Sequence, residues 1–198
     1  MRNTMLVTVV TTFALAATMA CGGSPLAGPS PVAVAPPTVT LAAARALPAG
    51  LDPAYVRALA VIDADGRPKR WEGGPFHHCF DASVEPYRAD LEAVADRMTA
   101  LSGIPQTMAG ACNVEWVADG EVGHTFSNLG GTDTAIFHAT VTIRAHGEIL
   151  PALALHEGGH ILGLNHSPMS ADLMNVTVER QRDFSPDEVA LLAWMYGR

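Results

Sequence analysis

With 198 residues the chain is long enough for one domain with a real core. A net charge of -8 leaves no basic stripe to neutralise phosphates, which argues against nucleic-acid binding. Charged residues are only 16%, and much of that bias lies in residues 1–50, which do not read as folded.

Residues 1–20 read as an export signal. Arg2 supplies a positive start, and Met5 to Ala17 is an apolar run too short to span a bilayer comfortably. Ala20-Cys21-Gly22 has the form of the end of a bacterial lipobox, in which Cys21 is lipidated and becomes the mature N-terminus. Thr18 stands where leucine is usual, so plain secretion after cleavage near Ala20 is the alternative. The product is expected to be exported, and either anchored by lipid to the cell envelope or secreted. Residues 21–45 read as a tether. Pro25, Pro29, Pro31, Pro36 and Pro37 lie among Gly, Ser, Ala and Val, a composition that makes an extended spacer rather than a core. One domain is expected over residues 46–198. No later apolar run reaches membrane-spanning length, so membrane contact is expected only through the lipid.

Asp52-Pro53 is an N-cap with proline at the first helical position, opening a short helix to about Ala60. Asp65-Gly66 signals a turn. Phe76 to Phe80 reads as a strand. Ser83 is expected to cap a helix to about Ser102, with Tyr87, Leu91, Val94, Ala95, Met98 and Leu101 on one stripe and a stop at Gly103 and Pro105. Asn113 to Val117 reads as the next strand, and strand–helix–strand implies a parallel pair. Cys79 and Cys112 lie in or beside those strands. In an exported protein they suggest a disulfide, worth about 3 to 4 kcal/mol for a loop of about 33 residues, with two free buried thiols as the alternative. His77 and His78 point to opposite faces of a strand and cannot serve one ion. Glu121 to Asp133, rich in Gly, Asn, Thr and Ser, reads as a loop, and Ile136 to Arg144 as a strand.

A helix from about Glu148 to Gly163 carries the chemistry. His156 to His166 reads H-E-x-x-H-x-x-G-x-x-H without mismatch. On a helix, His156 and His160 stack one turn apart on one face and can hold one metal ion. Gly163 can take the left-handed conformation that ends the helix, and the returning chain offers His166 as a third ligand. Three histidines leave the fourth position of a zinc ion open for water, whose pKa the metal lowers to about 7. Glu157 can reach that water without being a ligand, as general base and then acid. Ser185-Pro186-Asp187-Glu188 is a capping box that starts a last helix, with Val189, Leu192, Ala193 and Tyr196 as its buried stripe.

These residues carry a resemblance to the metzincin zinc metallopeptidases, and more narrowly to a matrixin-like, exported bacterial type. Family members follow the zinc motif with a methionine in a tight turn beneath the metal. Here Met174 follows His166 in Ser-Ala-Asp-Leu-Met-Asn, and Gly159 and Ser167 are matrixin-like neighbours of the ligands. The resemblance implies an α+β, zincin-like catalytic domain: a mostly parallel twisted sheet with an antiparallel edge strand, an active-site helix and a C-terminal helix. It implies that the strand preceding the zinc helix, Ile136 to Arg144, is the sheet edge that pairs with extended substrate. It also implies Met174 and Gly163 as structural support of the zinc site. His124, Asp133, His138 and His146 are not at the family's spacing for structural calcium or a second zinc, so one catalytic zinc is expected. No tyrosine follows Met174 until Tyr196, so a tyrosine assisting the oxyanion is not evident. The expected function is a monomeric zinc endopeptidase acting on proteins or peptides. The rivals are a non-catalytic zinc-containing surface binding protein and a metal hydrolase acting on cell-wall peptides.

Overall fold

A computed structural model gives the fold of residues 47–63, 65–119, 125–144, 150–177 and 181–198, all within the unit that spans Thr40–Arg198. The export signal and tether expected over 1–45, with Cys21, lie outside the described residues. Helix α1 (Pro53–Leu59) starts as its sequence dictates. Asp52 accepts a hydrogen bond from the Ala54 N–H at 2.7 Å, and Pro53 occupies the first position, where its missing N–H costs nothing. Val56 and Leu59 are its buried face.

The chain then builds a six-stranded sheet from β1 (Arg70–Trp71), β2 (Phe76–Phe80), β3 (Gln106–Thr107), β4 (Val114–Ala118), β5 (Phe126–Gly131) and β6 (Ala135–Ile143). The hydrogen-bonded order is β1-β6-β4-β2-β3, every pair parallel, and β5 pairs β6 antiparallel. Helices α2 (Arg88–Ser102), α3 (Leu150–Ile161) and α4 (Pro186–Tyr196) complete the α+β domain. The buried stripe of α2 is Leu91, Val94, Ala95, Met98 and Leu101, and Gly103, at φ 75°, ends it. Val94 and Met98 pack onto α3 at Gly158, which has no Cβ to hold α2 away. Cys79 and Cys112 form a disulfide with Cα atoms 5.6 Å apart, closing a loop that contains all of α2. No helix among the described residues is long and apolar enough to cross a membrane.

Two sequence expectations are corrected. The helix expected from Ser83 begins as a 3₁₀ turn, Ala82–Tyr87, and becomes α-helical only at Arg88. Pro86 lacks the N–H an α-helix would use there, and its ring would crowd the carbonyl four residues back. Asp81, not Ser83, is the cap; the Ser83 hydroxyl instead accepts from the Ala118 N–H and ties the turn to β4.

The second correction concerns the stretch read as a loop. Within it, β5 runs against β6 in register from Phe126↔Thr142 to Gly130↔His138, with a bulge before Gly131↔Ile136. Asn128 to Gly131 are exposed, so no apolar alternation marks the strand; β6 supplies the ladder. It follows that β6 is not the sheet edge. It is flanked by β4 and β5, and β5 is the outer strand.

His78 is 1% exposed, packed among Phe76, Phe80 and Trp116. Its Nδ1 accepts from Trp116 Nε1–H at 3.0 Å, which requires the neutral ring. Burial pushes its pKa down from 6.5 to about 4. Because the unfolded chain binds this proton first, the full stability is present above pH 6.5 and is lost as pH falls toward 4. Roughly 2 kcal/mol should disappear between pH 7 and 5 on this account. Urea unfolding of metal-free protein at the two pH values tests it. A His78→Gln variant, whose amide accepts from Trp116 but does not titrate, should lose that much less; equal losses in both proteins would refute the assignment.

Candidate metal centre

The end of α3 is closed by the backbone. Leu164 N–H bonds to Gly159 O and Gly163 N–H to His160 O, both at 2.9 Å. This is the paired bonding of a Schellman motif, with Gly163 at φ 96° as its left-handed residue. No side chain fits at that glycine, because a Cβ would run into the Lys69 carbonyl. The chain turns back, Leu164 bridges Ala60, and Asn165 N–H donates to Leu59 O at 2.7 Å. His166 is thereby carried back over the helix.

The structure brings His156, His160 and His166 together, with one potential ligand atom from each lying within 4.8 Å of the others. His156 Nδ1 lies 2.7 Å from Leu173 O, and His160 Nδ1 lies 2.7 Å from Leu164 O. A carbonyl can only accept, so both rings carry their proton on Nδ1 and keep the Nε2 lone pair for a metal. Burial pushes both pKa values down, His160 to about 4, which also favours the neutral ligand form. The donor set and its second layer therefore fit a zinc ion.

Met174 is fully buried beneath α3. A Cβ at Gly159 would overlap the Met174 sulfur, so the helix glycine and the methionine fill one space. The turn holding Met174 is gripped from two sides. Ser167 N–H donates to Met174 O at 2.7 Å. From α4, the fully buried Glu188 carboxylate accepts from Met174 N–H at 2.7 Å, Leu173 N–H at 3.0 Å and Ser185 N–H at 2.7 Å. Burial pushes the Glu188 pKa up against those three donors. The capping box was legible in sequence; its second task of fastening the methionine turn was not.

Glu157 is 6% exposed on the same helix. Its Oε2 accepts from Ser127 Oγ at 2.7 Å. Burial pushes its pKa up to about 7, with the Ser127 hydrogen bonds pulling the other way. Ser127 escaped the sequence reading because β5 did, and its reach to α3 depends on where β6 places that strand. The remaining polar candidates stand apart. His77 bonds Ala109 O, His138 and Asp133 are exposed, and the Tyr196 hydroxyl joins Trp71 N–H to Leu162 O. His124 and His146 lie outside the described residues. Asn175 accepts from Thr177 through its Oδ1 and donates through Nδ2 to Ser167 O at 3.2 Å, closing the wall after the methionine turn.

The family model described as Matrixin matches residues 68–197. No curated protein matches the chain.

Proposed function

From the premise that the chain belongs to the matrixin family, we propose that it is a zinc-dependent endopeptidase in which His156, His160 and His166 hold the metal and Glu157 moves the proton. The observation that carries this reading is the placement of Glu157, buried beside the three converging imidazoles with one carboxylate oxygen engaged by Ser127. Zinc bound there supplies a Lewis acid that makes water acidic enough to ionise near neutral pH and polarises the scissile carbonyl.

The chain's own residues do the rest. Ser127 holds the Glu157 carboxylate in place, and that carboxylate takes a proton from the attacking water. The water oxygen bonds to the carbonyl carbon, the C–N bond breaks, and the amine departs with the proton Glu157 carried. Leu173 O and Leu164 O hold the His156 and His160 rings in orientation, and Met174 supports the helix from beneath. Extended substrate is assigned to the outer strand β5, whose Ser127 borders the carboxylate, rather than to β6. Export, and anchorage through Cys21, rest on the N-terminal sequence alone and belong to the same proposal.

The purified full chain is expected to hold one zinc per molecule and to cleave casein or a mixed peptide pool. Stripping with 1,10-phenanthroline should abolish cleavage, and added zinc should restore it. A protein that binds zinc yet cleaves nothing in that pool, while releasing peptides from purified cell wall, would move the assignment to a cell-wall hydrolase. Zinc without cleavage of either would favour a binding protein, and no zinc would refute the metal centre.

A further inference from the structure

We propose that Tyr55 is a positioning residue for the zinc centre, and that α1, which lies before the family-matched residues 68–197, is part of the frame that holds the third ligand. The inference rests on the reading of the three histidines as a zinc site.

The Tyr55 hydroxyl donates to Asp172 Oδ2 at 2.7 Å across 117 residues of sequence. The Ser167 hydroxyl donates to the same oxygen at 2.5 Å, and Ser167 directly follows His166. Asp172 and Ser167 are each 4% exposed, so this shared acceptor competes little with water. Burial, and then the carboxylates of Asp172 and Glu188, push the Tyr55 pKa far up, which keeps the hydroxyl a donor. On the other side of the ligand, Asn165 N–H donates to Leu59 O at 2.7 Å, and Ala60 bridges Leu164. The α1 segment therefore grips the residue before His166 through backbone and the residue after it through Tyr55, Asp172 and Ser167.

His166 needs such a grip. His156 and His160 are fixed by α3 itself and by carbonyls at their Nδ1 atoms. His166 stands beyond the helix and is the most exposed of the three. Its position is set by the short return from Gly163; the α1 segment holds Asn165 directly and Ser167 through Asp172, beside the Met174 and Asn175 bonds to Ser167. Partners bonded directly to a ligand typically change metal affinity by about 10- to 100-fold when removed, and Tyr55, which acts through Asp172 and Ser167, is expected at the lower end of that range.

The test measures zinc affinity, not turnover, by competition with a fluorescent chelator on the full chain. Tyr55→Phe removes one hydroxyl and keeps the ring. It is expected to raise the zinc Kd about 10-fold or more. Val84→Ala, buried in the 3₁₀ turn before α2 and outside both α1 and α3, should lower the melting temperature and leave the zinc Kd within about 3-fold, since it opens a cavity away from the frame around His166. Ser167→Ala should weaken zinc on its own, and combined with Tyr55→Phe should cost less than the product of the two, because both act through one oxygen. A Tyr55→Phe protein that binds zinc like the wild type would overturn the proposal. So would a Val84→Ala protein that loses as much affinity, which would make the effect one of general stability. If the wild type binds no zinc, the metal reading itself has failed instead.

Discussion

Replacing Glu157 with alanine should leave a protein that folds and binds zinc as tightly as the wild type, and that cleaves peptides about 10²- to 10⁴-fold more slowly. The expectation follows from where the side chain stands. Glu157 is buried beside the histidines but takes no part in fixing them, since the His156 and His160 rings are oriented by Leu173 O and Leu164 O. Its carboxylate is held by Ser127, whose hydroxyl can turn to water when the carboxylate is gone. Removing Glu157 therefore removes the proposed proton carrier and leaves the partners of the His156 and His160 rings in place. The loss should appear in kcat, because a group that acts on the departing amine and the attacking water contributes to the transition state more than to substrate binding. Zinc content by elemental analysis and steady-state cleavage of a fluorogenic peptide check both halves. Cleavage within about 3-fold of wild type would remove Glu157 from the mechanism, and loss of zinc would make it a structural residue of the site.

Gly163→Ala should be strongly damaging, because at this position strain and a backbone clash combine. The residue sits at φ 96°, where an alanine is strained by about 1 to 2 kcal/mol. The new Cβ would also meet the Lys69 carbonyl, a backbone atom that cannot rotate away, and forced overpacking adds roughly 1 to 3 kcal/mol. Against a typical stability of 5 to 15 kcal/mol this is a large fraction. It falls on the turn that carries His166, so zinc should be lost along with stability. Gly74→Ala is the control, because Gly74 has φ 73° and nothing within 4 Å of its would-be Cβ. Urea midpoints should fall for both variants, and further for Gly163→Ala, which alone should lose zinc. Equal midpoints and equal zinc would mean that strain alone matters and that Lys69 gives way.

The centre was legible because its geometry is local. A spacing of four places His156 and His160 on one helical face whatever the rest of the fold does, and Gly163 announces the turn that returns His166. The parallel β2–β4 pair, α2 and the capping box were readable for the same reason, since each rests on periodicity or on residues a few positions apart. What stayed hidden depends on distant chain. β5 has exposed Ser, Asn and Gly residues and becomes a strand only because β6 offers it a partner. Without β5, Ser127 could not be placed near Glu157, and the sheet edge falls to β6, which in fact lies between β4 and β5. Local pattern alone places the helix start at a Ser83 cap, whereas the Ser83 hydroxyl serves β4 and Pro86 delays the α-helix to Arg88. Tyr55 meets Asp172 across 117 residues, a pairing no local pattern records.

The Met174 sulfur occupies the space that any side chain at position 159 would need. The two positions thus draw on one volume, and neither can change size alone. An alanine at 159 demands a shorter residue at 174, while a smaller residue at 174 with glycine kept at 159 leaves a void directly under the histidines. Among diverged descendants of this chain the two sites should therefore drift as a pair, and a redesign of the helix that fills Gly159 for helical propensity alone would spoil the site while improving the helix.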